Sequence, residues 1–279
     1  MTDSMISLKD VTFNYPAGIA ALNGITLEIA QGERIALLGP NGSGKSTLIL
    51  LIAGLLIPTS GEIKVFGEKT TSKNFPKWRS RIGLVFQDPD DQLFTPSVID
   101  DIEYGPKNLK IPQDDIKTQS TQMLEKMNIS HLKTRPPHRL SFGEKKKVSL
   151  ATALILKPEL LILDEPTANL DLISRRKLID TLNELNRAGT TIIISTHDAE
   201  AIPELANRIV VISQGLKIGE GKTSDILQDK NMLTQSGLEP PTIVSLFTEL
   251  KNQGLIQKIP LTLEEGKEEL LKTLKNNFR

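Results

Sequence analysis

The sequence predicts an α/β fold: a mainly parallel central sheet, with an antiparallel β subdomain and a helical subdomain attached. Three features predict it. Short aliphatic runs such as Leu160-Leu161-Ile162-Leu163 have the composition of strands buried on both faces. Helical stretches separate such runs, as crossovers between parallel strands require. Between about residues 88 and 139 the strand runs stop, and prolines and a helical patch replace them.

In chain order, Ile6–Phe13 and Ile25–Ile29 alternate apolar and polar residues, the mark of half-buried strands. Gln31-Gly32-Glu33 makes a tight turn into Arg34–Leu38, a buried strand. Gly39–Lys45 is a glycine-rich loop. Ser46–Ala53 is a helix that Gly54 can end in a left-handed cap. Glu62–Phe66 and Ile82–Phe86 are further strands. Within the helical subdomain, about 88–145, Ile116–Met127 is the clear helix. A second α/β half follows: a helix from Phe142 to about Leu156, a strand Leu160–Leu163, a helix Leu172–Ala188 and a strand Thr191–Ser195. Val210–Ser213 and Leu216–Gly219 flank a Gln214-Gly215 hairpin turn. The expected division is a main unit over 1–225 and a helical extension over 226–279.

Composition excludes several classes. The chain has no cysteine, so disulfide scaffolds, thiolate metal sites and cysteine nucleophiles fall away. The longest apolar run, Leu48–Ile57, has ten residues, against about 20 for a spanning helix. Met1–Lys9 lacks the basic start and apolar stretch of a secretory signal. Thirty-four basic residues balance 34 acidic ones, which argues against nucleic acid as a partner.

Two segments carry the chemistry. Gly39-Pro40-Asn41-Gly42-Ser43-Gly44-Lys45-Ser46, followed by Thr47, matches G-x-x-x-x-G-K-[ST] in full. Glycines let successive backbone N–H groups curl around anionic oxygens. The next helix points its positive end at the same oxygens. Lys45 can reach β- and γ-phosphates, and the Ser46 hydroxyl is placed to ligate Mg²⁺. The second segment is Leu160–Leu163 running into Asp164-Glu165. A buried strand delivers both acids to the sheet's carboxyl edge, where open α/β folds bind ligands. Asp164 would hold Mg²⁺ and Glu165 would polarise the attacking water. An acidic strand end alone is commonplace; its pairing with the phosphate loop gives it weight.

With these two motifs in order, the sequence resembles the ATPase subunits of ABC (ATP-binding cassette) transporters. Leu140-Ser141-Phe142-Gly143-Glu144 is similar to the family signature LSGGQ, with Phe142 in place of a glycine and Glu144 in place of the glutamine. The resemblance, over about residues 6–225, implies a P-loop NTPase cassette with ATP and Mg²⁺ as ligands. It implies that Tyr15 stacks on adenine, that Gln87 senses Mg²⁺ and the attacking water, and that His197 contacts the γ-phosphate. Ala168-Asn169-Leu170-Asp171 resembles the loop that crosses between protomers. Ser141 suits an N-cap, and that helix end, with Gly143 and Glu144, would serve a γ-phosphate held by a second protomer, identical or paralogous, in a head-to-tail dimer. Glu144 adds a negative charge there, so turnover is expected to be reduced rather than absent.

Taken singly, most of these residues have plain readings. Tyr15 before Pro16 suits a strand end, a lone histidine such as His197 is more often structural, and Lys145-Lys146-Lys147 reads as a solvated helix face. Joint order and spacing give them meaning. Val85-Phe86-Gln87-Asp88-Pro89-Asp90-Asp91-Gln92-Leu93-Phe94 and Ser236-Gly237-Leu238-Glu239-Pro240-Pro241 are similar to elements of the energy-coupling-factor (ECF) branch. That resemblance implies an importer of cobalt, nickel or a vitamin. It also implies an integral coupling subunit, a substrate-binding membrane subunit and a peripheral place on the cytoplasmic face of the cell membrane. Residues 88–94 are the expected docking groove for short helices of the coupling subunit. The competing classes are a soluble ABC ATPase of translation or DNA repair and a catalytically weak nucleotide-binding partner.

Overall fold

The structure, a computed structural model, describes residues 4–71 and 73–277. The chain starts as a long hairpin, β1 (Ser4–Tyr15) and β2 (Ile19–Ala30), then enters β3 (Arg34–Leu38) and α1 (Lys45–Ile52). After β4 (Ser60–Val65), β5 (Glu68–Lys69) and β6 (Ile82–Val85) it passes through α2 (Val98–Asn108) and α3 (Gln113–Lys126) to α4 (Phe142–Leu154). Next come β7 (Leu160–Asp164), α5 (Leu172–Arg187), β8 (Thr191–Thr196), α6 (Ile202–Leu205), β9 (Arg208–Ser213) and β10 (Leu216–Lys222). The tail holds α7 (Thr223–Gln228), α8 (Lys230–Gln235), α9 (Thr242–Asn252) and α10 (Leu263–Asn277).

Two sheets result. One is antiparallel, in the order β2-β1-β4-β5. The other runs β10-β9-β3-β8-β7-β6 and is parallel except for β10. This is the expected fold class.

Period-two geometry explains why the central strands are aliphatic at almost every position. Leu160, Ile162 and Ile193 face α1 and the antiparallel sheet, in one core with Leu8, Leu27, Leu48 and Ile52. Their neighbours Leu161, Leu163, Ile192 and Ile194 face the other way, onto Leu150 and Leu154 of α4 and Leu182 of α5. Full burial of each such side chain contributes roughly 1.5–3 kcal/mol. At the end of α1, Gly54 takes φ 70° and the Phe75 ring fills the space where a Cβ would stand, so the expected glycine stop is also a packing requirement.

The helical region has its own core, in which Val98 and Ile102 of α2 and Leu124 of α3 pack on Val148 and Ala151 of α4. Thus α4 carries side chains into both this region and the main sheet. Helix α2 carries Pro106 in its last turn, where the ring removes one backbone donor and obscures the helix in the sequence. The tail does not begin as a free appendage. Ile226, Leu227, Leu233 and Leu238 pack on Ala36, Leu38 and Val211 of the parallel sheet. Further on, the Glu200 carboxylate accepts hydrogen bonds from the backbone N–H and hydroxyl of Thr242 at the start of α9, both at 2.6 Å.

Candidate functional site

The loop between β3 and α1 is shaped by backbone that only glycine tolerates well. Gly42 and Gly44 have φ of 78° and 106°. A Cβ on Gly44 would lie 2.6 Å from the Ala21 carbonyl oxygen and 2.7 Å from a Leu22 methyl. Gly44 caps α1 with no side-chain acceptor, so the first N–H groups of that helix stay available to a ligand. The Lys45 ammonium is buried and donates to the carbonyls of Gly39 at 2.7 Å and Pro40 at 3.0 Å. Burial pushes its pKa down, against the opposing pull of the nearby Glu165 and Asp164 carboxylates. The Thr47 and Tyr15 hydroxyls are 3.1 Å apart, and the Tyr15 ring sits edge-on to Phe13.

Strand register assembles the acidic end. β7 and β8 run parallel with Asp164 opposite Ser195, and the Ser195 hydroxyl donates to the Asp164 carboxylate. Glu165 follows at φ 45°, its N–H bonded to the Ser195 carbonyl at 3.1 Å. One carboxylate oxygen of Glu165 lies 2.7 Å from Nδ1 of His197, and the other accepts from the Thr196 hydroxyl at 3.2 Å. A carboxylate held this way at a strand end can take a proton from a water.

Loop and acids share one cleft of about 470 Å³. Asn41–Thr47, Gln87, Asp164, Glu165 and Tyr15 line it, as does the Ile19-Ala20-Ala21 turn of β2. Gly39 and Pro40 lie at the base of the loop as acceptors for Lys45, and His197 stands behind Glu165. No group of three or more His, Asp or Glu side chains among the described residues converges on a metal position. One hydroxyl and one carboxylate, from Ser46 and Asp164, fit Mg²⁺, which keeps waters and shares phosphate oxygens, rather than a metal needing a full protein cage.

The Ser141 segment lies apart from this cleft. Ser141 and Glu144 form a reciprocal capping box at the tip of α4. The Glu144 carboxylate accepts from the Ser141 N–H at 2.8 Å and from its hydroxyl at 2.9 Å, while Ser141 accepts from the Glu144 N–H at 3.3 Å. Those bonds, the backbone one first, hold the Glu144 pKa below its ordinary value. Gly143 has open space where a Cβ would be. The structure therefore brings together Tyr15, the glycine loop, Gln87, Asp164, Glu165 and His197. It does not bring Ser141, Gly143 or Glu144 to them.

One expectation is corrected. Lys145–Lys147 is not a solvated face throughout, because Lys146 is only 6% exposed. Helical spacing puts it in line with buried Leu150, on the inward side of α4, whereas Lys145 reaches out to Asp90 at 2.6 Å. Ser195 and Thr196, which orient the acids, escaped the sequence reading; their signal was a pair of hydroxyls following three isoleucines. Gln92, too, has a role that the sequence alone does not show. Its side-chain amide donates to the Ser149 carbonyl and the Thr152 hydroxyl of α4, and its oxygen accepts from the Phe86 N–H, which fixes the loop carrying Gln87.

A glycine loop closing on a helix N-terminus, with two acids at the next-but-one strand end, defines a P-loop nucleotide hydrolase of the ATP-binding-cassette architecture. Comparison with known proteins agrees. The family described as "ABC transporter" matches residues 22–168. The energy-coupling factor transporter ATP-binding protein EcfA of Methanothermobacter thermautotrophicus is 42% identical over 97% of this chain and 88% of its own length. The cobalt import ATP-binding protein CbiO of Rhodobacter capsulatus is 41% identical over 87% of each. Among solved structures, cbiO1 from Clostridium perfringens, described as part of a cbiONQ ABC transporter complex, matches with TM-score 0.74 and 39% identity, covering 88% of this chain and 99% of that one. A dimeric ATP-binding cassette in a post-hydrolysis state with ADP and Pi matches with TM-score 0.72 and 30% identity, covering 78% of this chain and 99% of that one. The chain belongs to the ABC transporter ATPases, in the ECF branch, and is a transport ATPase.

Proposed function

We propose that this chain hydrolyses Mg-ATP in a head-to-tail dimer, with an identical or paralogous protomer, to drive uptake of cobalt, nickel or a vitamin through separate membrane subunits. The observation that carries this reading is the separation of the two half-sites. The chain completes one wall around its cleft, while Ser141, Gly143 and Glu144 at the tip of α4 are not part of its lining. Glycine inside a helix costs about 1 kcal/mol relative to alanine, and nothing within this chain demands glycine at 143. A ligand approaching from another protomer would demand it.

Within this reading Tyr15 carries the adenine, and the loop N–H groups with Lys45 hold the β- and γ-phosphates. Ser46 and Asp164, with Gln87, would hold Mg²⁺, which neutralises phosphate charge when bound. Glu165 accepts the proton of the attacking water. His197 holds that carboxylate in place from the side away from Thr196 and is at hand for the γ-phosphate. Ser141 and Gly143 meet the γ-phosphate of the other protomer, and Glu144, charged and fixed beside Ser141, slows turnover.

The names of the relatives support membrane partners, and so does one surface. Phe94 and Tyr104 are both exposed and pack edge to face at 4.9 Å, a ready seat for short apolar helices of a coupling subunit. No helix of the described residues is long and apolar enough to cross a membrane, so attachment at the cytoplasmic face would run through such partners. The test uses the purified chain with ATP. Wild-type protein is expected to hydrolyse it, and Glu165→Gln to bind it, form dimers by sedimentation and stop turning over. A Glu165→Gln protein that remained monomeric at saturating ATP would remove the dimer of identical protomers and leave only the pairing with a paralogue.

A further inference from the structure

Lys146 is a buried cation that the mechanism above leaves without a task. It sits on α4, one turn past Phe142, with its ammonium 5.6 Å from the centre of that ring. Its Nζ donates to the backbone carbonyl of Glu165 at 3.3 Å. No carboxylate pairs with it within 4.0 Å among the described residues, although Asp164, Glu165 and Asp88 all act on it from the ends of β7 and β6. Burying an ammonium with no close counter-ion costs several kcal/mol, so the position calls for a return.

Glu165 supplies a reason. Its φ of 45° is left-handed backbone, which costs a non-glycine residue about 1–3 kcal/mol and persists only where its surroundings enforce it. Three contacts do so here. The Glu165 N–H is held by Ser195, and its carbonyl accepts from the Ala168 N–H at 3.2 Å and from Lys146. The first two come from the same sheet edge and the same turn. Lys146 instead comes from across the fold, from the helix whose tip is the signature segment.

We propose that Lys146 is a positioning residue for hydrolysis: its ammonium fixes the left-handed peptide of Glu165 and with it the direction of the carboxylate. The inference rests on Glu165 being the base. It also ties the two half-sites of one chain together, because in this reading α4 presents its tip to the neighbouring protomer while its Lys146 holds the backbone carbonyl of the chain's own Glu165.

Steady-state hydrolysis and ATP affinity of Lys146→Met test it, with Glu165→Gln run alongside. The expected result for Lys146→Met is a kcat at least tenfold lower, with ATP affinity and KM within about twofold of wild type. A kcat within twofold of wild type, or kcat and ATP affinity falling together, overturns the assignment. If Lys146→Met does not fold, Lys146→Gln, which keeps an N–H donor without a charge to bury, carries the test. It should lose at least threefold in kcat at unchanged affinity, and an unchanged kcat overturns the proposal. Turnover by Glu165→Gln at the wild-type rate would remove the reading of Glu165 itself, whereas an inactive Glu165→Gln beside a fully active Lys146→Met removes only the role of Lys146.

Discussion

In the proposed reading helices α1 and α4 both offer N-termini to phosphate, and they are finished differently. α1 starts from Gly44, with no side chain on its first N–H groups and a lysine as its first residue. α4 starts from Ser141 and folds its own Glu144 carboxylate back over its tip. The first end is prepared to receive an anion. The second already carries one, so its pull on a further anion is weaker. Such an arrangement suits a strong permanent hold in one wall of a site and a lighter, reversible hold in the other, as a dimer that must reopen requires.

Five substitutions test that contrast, taken from the largest expected effect downward. Glu165→Gln should lower kcat by about 10²–10⁴-fold, the usual worth of a general base, with little change in ATP affinity; single-turnover assays read both. Gly44→Ala should destabilise the protein by about 1–3 kcal/mol from its strained φ alone, with the Ala21 clash in addition, while Gly143→Ala should leave stability equal or higher and impair ATP-driven dimerisation. Denaturant titration and sedimentation separate the two, and a Gly143→Ala protein that dimerises normally would break the contrast. Ser141→Ala should cost about 1 kcal/mol of stability through loss of the cap. Glu144→Gln should raise turnover about two- to fivefold, matching a charge–dipole effect of about 0.3–1 kcal/mol; unchanged turnover would mean that the charge at the second tip is unimportant.

The last variant also has a pH signature. The folded-state pKa of Glu144 is depressed, so its share of stability is present above the ordinary carboxylate pKa and is lost as pH falls through the lower folded value. Glu144→Gln should flatten that part of the acid-unfolding curve.

Much of this was legible in the sequence because it is local. The glycine loop, its strand and its helix are contiguous, and Gly42 and Gly44 answer to the loop's own left-handed backbone. The acids after Leu163 could be placed at the sheet edge because four aliphatics fix the strand. The pairing of Glu165 with His197 and of Asp164 with Ser195 depends on which strand neighbours β7, and strand order is a long-range property that no single segment carries. Lys146 was misread for a related reason. Three adjacent lysines look alike until a helix axis sends one of them inward. α2 does not stand out in the sequence because a proline, Pro106, lies inside it.

The tether between Glu200 and Thr242 has a practical consequence for anyone trimming the molecule. A version cut ahead of Thr242 would keep every nucleotide motif and yet strip Glu200, three positions beyond His197, of both its donors. The released acid would then be free to rearrange next to the histidine. A cut at Ser224 would be harsher, peeling Ile226, Leu227, Leu233 and Leu238 from the underside of the sheet. Shortened forms would thus report on a disturbed histidine loop as much as on the missing helices.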